Sequence, residues 1–254
     1  MTIQSTIDRS TPNAFLDRVS LLLDTFDGSA RLTLAQIVRR TGLPRSSVHR
    51  MLEHLVQLRW LQREGHDYTL GLRLMELGSL AVRQDRLHSA VIPYLHELHR
   101  VTGLAVQLAA LDGDEVVFHE YVGGRLAGAV PNRVGSRDKA DRVALGRILL
   151  AYNGASGPSY DRLRETGIAV ERNTPIEGFG SIATAIGPIG SATSALSLSG
   201  PSHQLSSNPP DPRLTEILVG TATAVWRRVN NHVVPTMQRS KTLRSTSHGS
   251  TSLT

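Results

Sequence analysis

The chain has 254 residues, with 28 Lys and Arg against 22 Asp and Glu, and 40% apolar side chains, enough for two modest domains that each bury a core. It has no cysteine, which excludes disulfides, thiolate nucleophiles and cysteine-held zinc. No apolar run approaches the roughly 20 residues of a membrane span, and the opening MTIQSTIDRSTPNAF lacks a basic-then-apolar leader pattern, so no membrane partner and a cytoplasmic protein are expected.

The first element in chain order is a helix over Ala14 to Phe26. In LTLAQIVRRTG, Thr33 and Gln36 are spaced as a capping box, Ile37 and Val38 supply an apolar stripe, and Gly42 suits a left-handed helix end. Pro44 is then expected at the first position of another helix, with Val48, Met51, Leu52 and Leu55 turned inward. That phase leaves Arg45, Ser46, Ser47, His49 and Arg50 at or near the N-terminal end, partly outward. Leu61–Arg63 and Tyr68–Leu70 read as strands around a turn with Gly65, which presents Arg63 and His66.

Residues 31–63 hold seven arginines against the single acid Glu53, a net +6 equal to the surplus of the whole chain. A field this concentrated attracts polyanions, and the order helix, helix, helix, hairpin is that of a winged helix-turn-helix. The expectation is a DNA-binding domain over residues 10–70, with Arg45, Ser46, Ser47, His49, Arg50, Arg63 and His66 contacting a double-stranded operator. A linker helix follows over 71–86. Its Leu74, Leu77 and Ala81 recur at helical spacing and are expected to pack against a second copy, setting two recognition helices on a two-fold site.

Residues 87–235 read as a mixed α/β domain, and the whole chain as α+β. A helix runs from Leu87 to Val101, and two apolar runs around Asp112-Gly113 form a hairpin. Another helix is read over Asp141–Ala151, IGSATSALSLSGP alternates as a strand, and a closing helix starts near Asp211. Residues 236–254 are rich in Ser and Thr and are expected to be a disordered tail. Catalytic signatures are weak. GFGSIA (178–183) has glycines spaced for a dinucleotide loop but enters a β-like run, and the pair His96 and His99 lacks a third ligand. Neither an enzyme, nor a cofactor, nor a metal is expected.

The run from LTLAQ to GLRLMELGSLA resembles the DNA-binding domain of the IclR family of bacterial transcriptional regulators, most specifically in TGLPRSSVHRML and YTLGLRLMELG. The likeness continues through VGSRDKADRVALGRILLAY and ALSLSGP. It implies a GAF-like effector-binding domain, assembly as homodimers or homotetramers, and effector contacts at Ala144, Leu145, Glu171, Ser181, Ser197 and Ser199. The GRILLA form of the pocket helix is similar to members that sense aromatic or other small carboxylic acids. One departure stands out: where the family carries a further helix and linker, only YNGASGPSYD is present, implying a reduced outer layer over the pocket. The functional expectation is a small-molecule-modulated transcriptional regulator; the alternative is a constitutive DNA binder whose second domain only oligomerises.

Overall fold

A computed structural model describes residues 15–124, 134–172, 177–205 and 210–231, with the side chains at 86 and 231 left aside. Both ends of the sequence, including the tail expected at 236–254, lie outside the described residues. The chain divides into two compact units, residues 1–85 and 86–254.

In the first unit, α1 (Phe15–Asp24), α2 (Leu34–Thr41) and α3 (Arg45–Gln57) pack on a three-stranded sheet of order β1-β3-β2, made of β1 (Leu32–Thr33), β2 (Leu61–Glu64) and β3 (Asp67–Leu70). Leu22, Ile37, Val48, Leu52 and Leu61 are fully buried at its centre. The capping box forms as read: Thr33 Oγ1 accepts from the Gln36 amide, and Gln36 Oε1 accepts from the Thr33 amide at 2.7 Å. Gly42 closes α2 in the left-handed region at φ 68°. Pro44 sits one residue earlier than expected. It is the N-cap of α3, and its carbonyl accepts from the Ser47 and Val48 amides. β1 was not foreseen; it is two residues long and is defined by Leu32 pairing with Tyr68 and Thr33 with Asp67.

The end of α3 is a Schellman closure without glycine. The Trp60 amide reaches back to Leu55 and the Arg59 amide to Val56, with Arg59 at φ 61°. Helix α4 (Leu72–Gln84) starts directly on this closure, since the Gly71 amide donates to Trp60 O and the Arg73 amide to Arg59 O.

The second unit carries one antiparallel sheet of order β6-β5-β4-β9-β8-β7. Its strands are β4 (Ala105–Asp112), β5 (Glu115–Val122), β6 (Arg137–Lys139), β7 (Ala169–Arg172), β8 (Phe179–Ile186) and β9 (Ser194–Pro201). One face bears Val106, Leu108, Ile182, Leu196 and Leu198 against α5 (Arg86–Thr102) and α9 (Pro212–Asn231). The other bears Ala109, Ala169, Ala183, Ala185 and Ala195 against α6 (Ala144–Tyr152). A short α8 (Ser202–Leu205) follows β9.

Four expectations need correction. The hairpin turn is Gly113-Asp114, because Asp112 pairs with Glu115 as the last ladder position. Helix α6 begins at Ala144 rather than Asp141: the Arg142 amide turns back to Lys139 O, and Val143 stays extended as N-cap. Strand β9 does not alternate between buried and exposed. Every residue from Ser194 to Gly200 is buried, because helices cover both faces of the sheet at its centre. The segment after Tyr152 is short but does supply a helix, α7 (Pro158–Thr166), tied to the end of α6 by Arg164 donating to the carbonyls of Ala151 and Ala155.

Candidate nucleic-acid interface and ligand pocket

The first site follows from how α3 meets the hairpin. Burying Val48, Met51, Leu52 and Leu55 turns the opposite stripe of α3 outward, and the wing folds alongside it. Between them lies a cleft of about 960 Å³ lined by Arg45, Ser46, His49 and Arg50 from α3, Arg63, His66 and Tyr68 from the wing, and Thr33, Leu34 and Ala35 from the start of α2. Six of the seven side chains read as DNA contacts line this cleft. Ser47, half-buried on α3, does not. Tyr68 and the start of α2 were missed; only the hairpin register and the capping box could have signalled them.

The charge is distributed unevenly. Arg31 pairs with Glu64 at 2.7 Å, Arg40 donates to Thr25 O and Ser29 Oγ, and Arg59 pairs with Glu76, so these three serve the fold. The side chains of Arg45, Arg50 and His66 have no hydrogen bond or ion pair among the described residues. His49 lies 3.5 Å from Glu53. Arg63 lies over the Tyr68 ring at 5.7 Å and donates to Gly65 O, which fixes the wing tip. Because α3 has no side-chain cap, the amides of Arg45 and Ser46 at its N-terminus also face outward, an arrangement that favours phosphate oxygens.

The second site lies on the α6 face of the large sheet. Register places Glu171 opposite Ser181, Ser181 opposite Ser199, and Ser197 opposite Gln107. Ser197 and Ser199 are two apart, so all five polar side chains share one face. Around them the strands offer alanines, and α6 packs over this floor of small residues. Glu171 Oε2 accepts from the Ala144 amide at 2.8 Å and from Ser181 Oγ at 3.4 Å. Burial raises the Glu171 carboxyl above its ordinary value of 4.5, opposed by the Ala144 amide and by Arg147.

The six positions implied as effector contacts thus meet at one end of one face, but they differ in character. The Ala144 amide is already engaged by Glu171, and Leu145 is a core side chain packed with Ile148 and Leu149. Ser197 and Ser199 both donate to Gln107 Oε1, at 3.4 and 3.2 Å. Gln107 was missed, since a lone glutamine in an apolar strand carries no motif. Of the motifs weighed for catalysis, GFGSIA runs directly into β8, and His99 Nδ1 bonds Leu104 O at 2.7 Å.

A winged helix with a basic cleft, joined through a helix to a separate α/β unit with a buried polar band, defines a class of DNA-binding regulators. Two family models agree: the IclR helix-turn-helix domain matches residues 16–65, and the bacterial transcriptional regulator IclR C-terminal domain matches residues 80–157. The chain belongs to the IclR family of bacterial transcriptional regulators. It is 33% identical over 132 residues to the HTH-type transcriptional regulator KipR of Bacillus subtilis, covering 52% of this chain and 53% of that protein. It is 34% identical over 122 residues to the Pca regulon regulatory protein of Pseudomonas putida, covering 47% and 42%. The chain spans about half the length of the curated relatives it matches. Among solved structures, it resembles an IclR homologue from Microbacterium hydrocarbonoxydans complexed with 4-hydroxybenzoate, with TM-score 0.70 and 28% identity over 86% of this chain and all of that one. Among the described residues no helix is long and apolar enough to cross a membrane.

Proposed function

We propose that this protein is a sequence-selective DNA-binding regulator whose operator affinity is set by a small carboxylic acid held in the second unit. The observation that carries the reading is the cleft between α3 and the wing, where Arg45 and Arg50 stand unpaired beside Ser46, His49 and His66. Buried or paired arginines would serve packing; unpaired ones in a concave surface serve an anion that arrives from outside. Phosphate neutralisation supplies affinity, and base-edge contacts from the start of α3 supply selectivity. The effector biases the chain between arrangements with different DNA affinity. The aromatic acid held by the Microbacterium hydrocarbonoxydans homologue makes 4-hydroxybenzoate the first compound to test.

Helix α4 supports assembly as a dimer. None of its residues is buried, and Leu72, Met75, Leu77, Leu80 and Val82 are all exposed. Single exposed leucines are ordinary, but five large apolar side chains on one helix are a surface that a second copy would cover. Fluorescence anisotropy with the DNA upstream of the gene tests the whole reading. Binding should weaken steeply with added salt, persist against competitor DNA, and shift when 4-hydroxybenzoate is added. Equal affinity for upstream and random DNA would defeat the regulator reading; selective binding indifferent to every small acid tried would leave a constitutive DNA binder.

A further inference from the structure

Gln107 sits inside the polar band of the second unit and is 4% exposed. Its Oε1 accepts from both serine hydroxyls, and its Nε2 is buried without a hydrogen-bond partner among the described residues. Buried side-chain donors are nearly always satisfied, so this one points to a group that the protein itself does not supply.

The hydrogens of the trio can be counted. The carboxamide carries two N–H hydrogens and the two hydroxyls one O–H each. In the arrangement seen, both O–H groups are spent on Oε1 and both N–H hydrogens remain. A half-turn of the carboxamide points its N–H groups at the serine oxygens and releases the two O–H hydrogens instead. In either orientation the trio has two hydrogens left over. What those two hydrogens lack is an acceptor, and an unspent buried donor is a rarer defect than a spare lone pair. A carboxylate supplies two charged oxygens and brings no hydrogen of its own, whereas a carboxamide supplies one neutral oxygen and must place two further hydrogens on the serine lone pairs. The one carboxyl among the band's five side chains, Glu171, lies on β7, three strands from Gln107, and is engaged by the Ala144 amide and Ser181.

We infer that Gln107 is a specificity-determining residue of this pocket, which with Ser197 and Ser199 selects a ligand carboxylate over the matching carboxamide. The inference rests on the effector reading above and goes beyond it in naming the group recognised and the residue that discriminates.

Calorimetric titration of the full chain with 4-hydroxybenzoate and with 4-hydroxybenzamide tests it, using the parent, Gln107→Leu, Gln107→Glu and the double variant Ser197→Val with Ser199→Val. The parent should prefer the acid. Gln107→Leu should weaken acid binding by about tenfold, the loss expected for one hydrogen bond to a charged group, while the thermal melt stays cooperative. Gln107→Glu should reverse the preference, because a carboxylate repels the acid and accepts from the amide. If Gln107→Leu does not keep a native melt, the acid-to-amide ratio of Gln107→Glu decides, and an unchanged ratio refutes the inference. Acid binding that survives Gln107→Leu but is lost in the serine double variant refutes the role of Gln107 and leaves the pocket standing. A parent that binds neither compound removes both.

Discussion

At the residue scale, function and fold draw on the same residue types, and partners separate them. Seven arginines crowd residues 31–63, yet four of them, Arg31, Arg40, Arg59 and Arg63, are committed to Glu64, Glu76 or backbone carbonyls. Only geometry shows which remain for a ligand. Arg45→Ala and Arg50→Ala should each weaken operator binding by about 1–3 kcal/mol where the side chain reaches a base edge; a phosphate contact alone would lower the salt slope by about one. Anisotropy titrations at several salt concentrations measure both, and unchanged binding in both variants would remove α3 as the recognition helix. Glu171 gives a second prediction. Its folded carboxyl keeps its proton to higher pH than the unfolded value of 4.5, so the folded state binds more protons in that window. This group's contribution to stability therefore falls as pH rises from about 4.5 through the raised value, and is level above it. Glu171→Gln keeps an oxygen for the Ala144 amide but does not ionise. Urea midpoints from pH 4 to 8 should show a smaller decline for the variant than for the parent, and parallel curves would contradict the assignment.

At the element scale, the joints are as informative as the helices. The capping box of α2 was legible because it is a local rule: two side chains three apart exchange bonds with each other's amides. Thr33→Ala should lower the stability of the first unit by about 1 kcal/mol, read as a shift in its denaturant midpoint. The junction of α3, wing and α4 was not legible. Arg59 occupies the left-handed region that usually belongs to glycine, and a Cβ placed on Gly71 would meet the Arg59 carbonyl at 2.2 Å. Nothing in the residue type of Arg59 announces this, because the conformation is imposed by closing α3 against the wing. Arg59→Gly should therefore stabilise the unit by about 1 kcal/mol, since its only side-chain tie among the described residues is an exposed pair to Glu76. Gly71→Ala should destabilise it by about 1–3 kcal/mol through a clash that neither backbone can relieve cheaply. Equal midpoints for parent and Gly71→Ala would show that the junction yields more easily than its packing implies.

At the scale of the whole molecule, each unit offers an outside partner something different: the Arg45 and Arg50 side chains in the basic cleft of one, and the unspent Gln107 Nε2 donor in the other. Helix α4, at the end of the first unit, exposes Leu72, Met75, Leu77, Leu80 and Val82. Leu77→Arg with Leu80→Arg should shift the protein towards monomer in sedimentation velocity and weaken binding to a two-fold operator far more than to a half-site. A parent that sediments as a monomer at micromolar concentration would reject the dimer.

The sequence by itself determined what depends on neighbours in the chain. The capping box, the glycine helix end, the wing turn, the inward phase of α3 and the likeness to the IclR family all rest on residues a few positions apart. The tertiary structure alone decided what depends on which strands lie side by side. Ser197 and Ser199 were expected to share a face, since that is strand periodicity. That Gln107, 90 residues away from Ser197, would be the acceptor for both hydroxyls followed only from β9 pairing between β4 and β8. The same pairing buried β9 on both faces and hid its alternation. It also drew Glu171 under the first amide of α6. Local bonds leave a signature in the spacing of residues, whereas contacts between distant strands are fixed by the register of the sheet, which no single strand encodes.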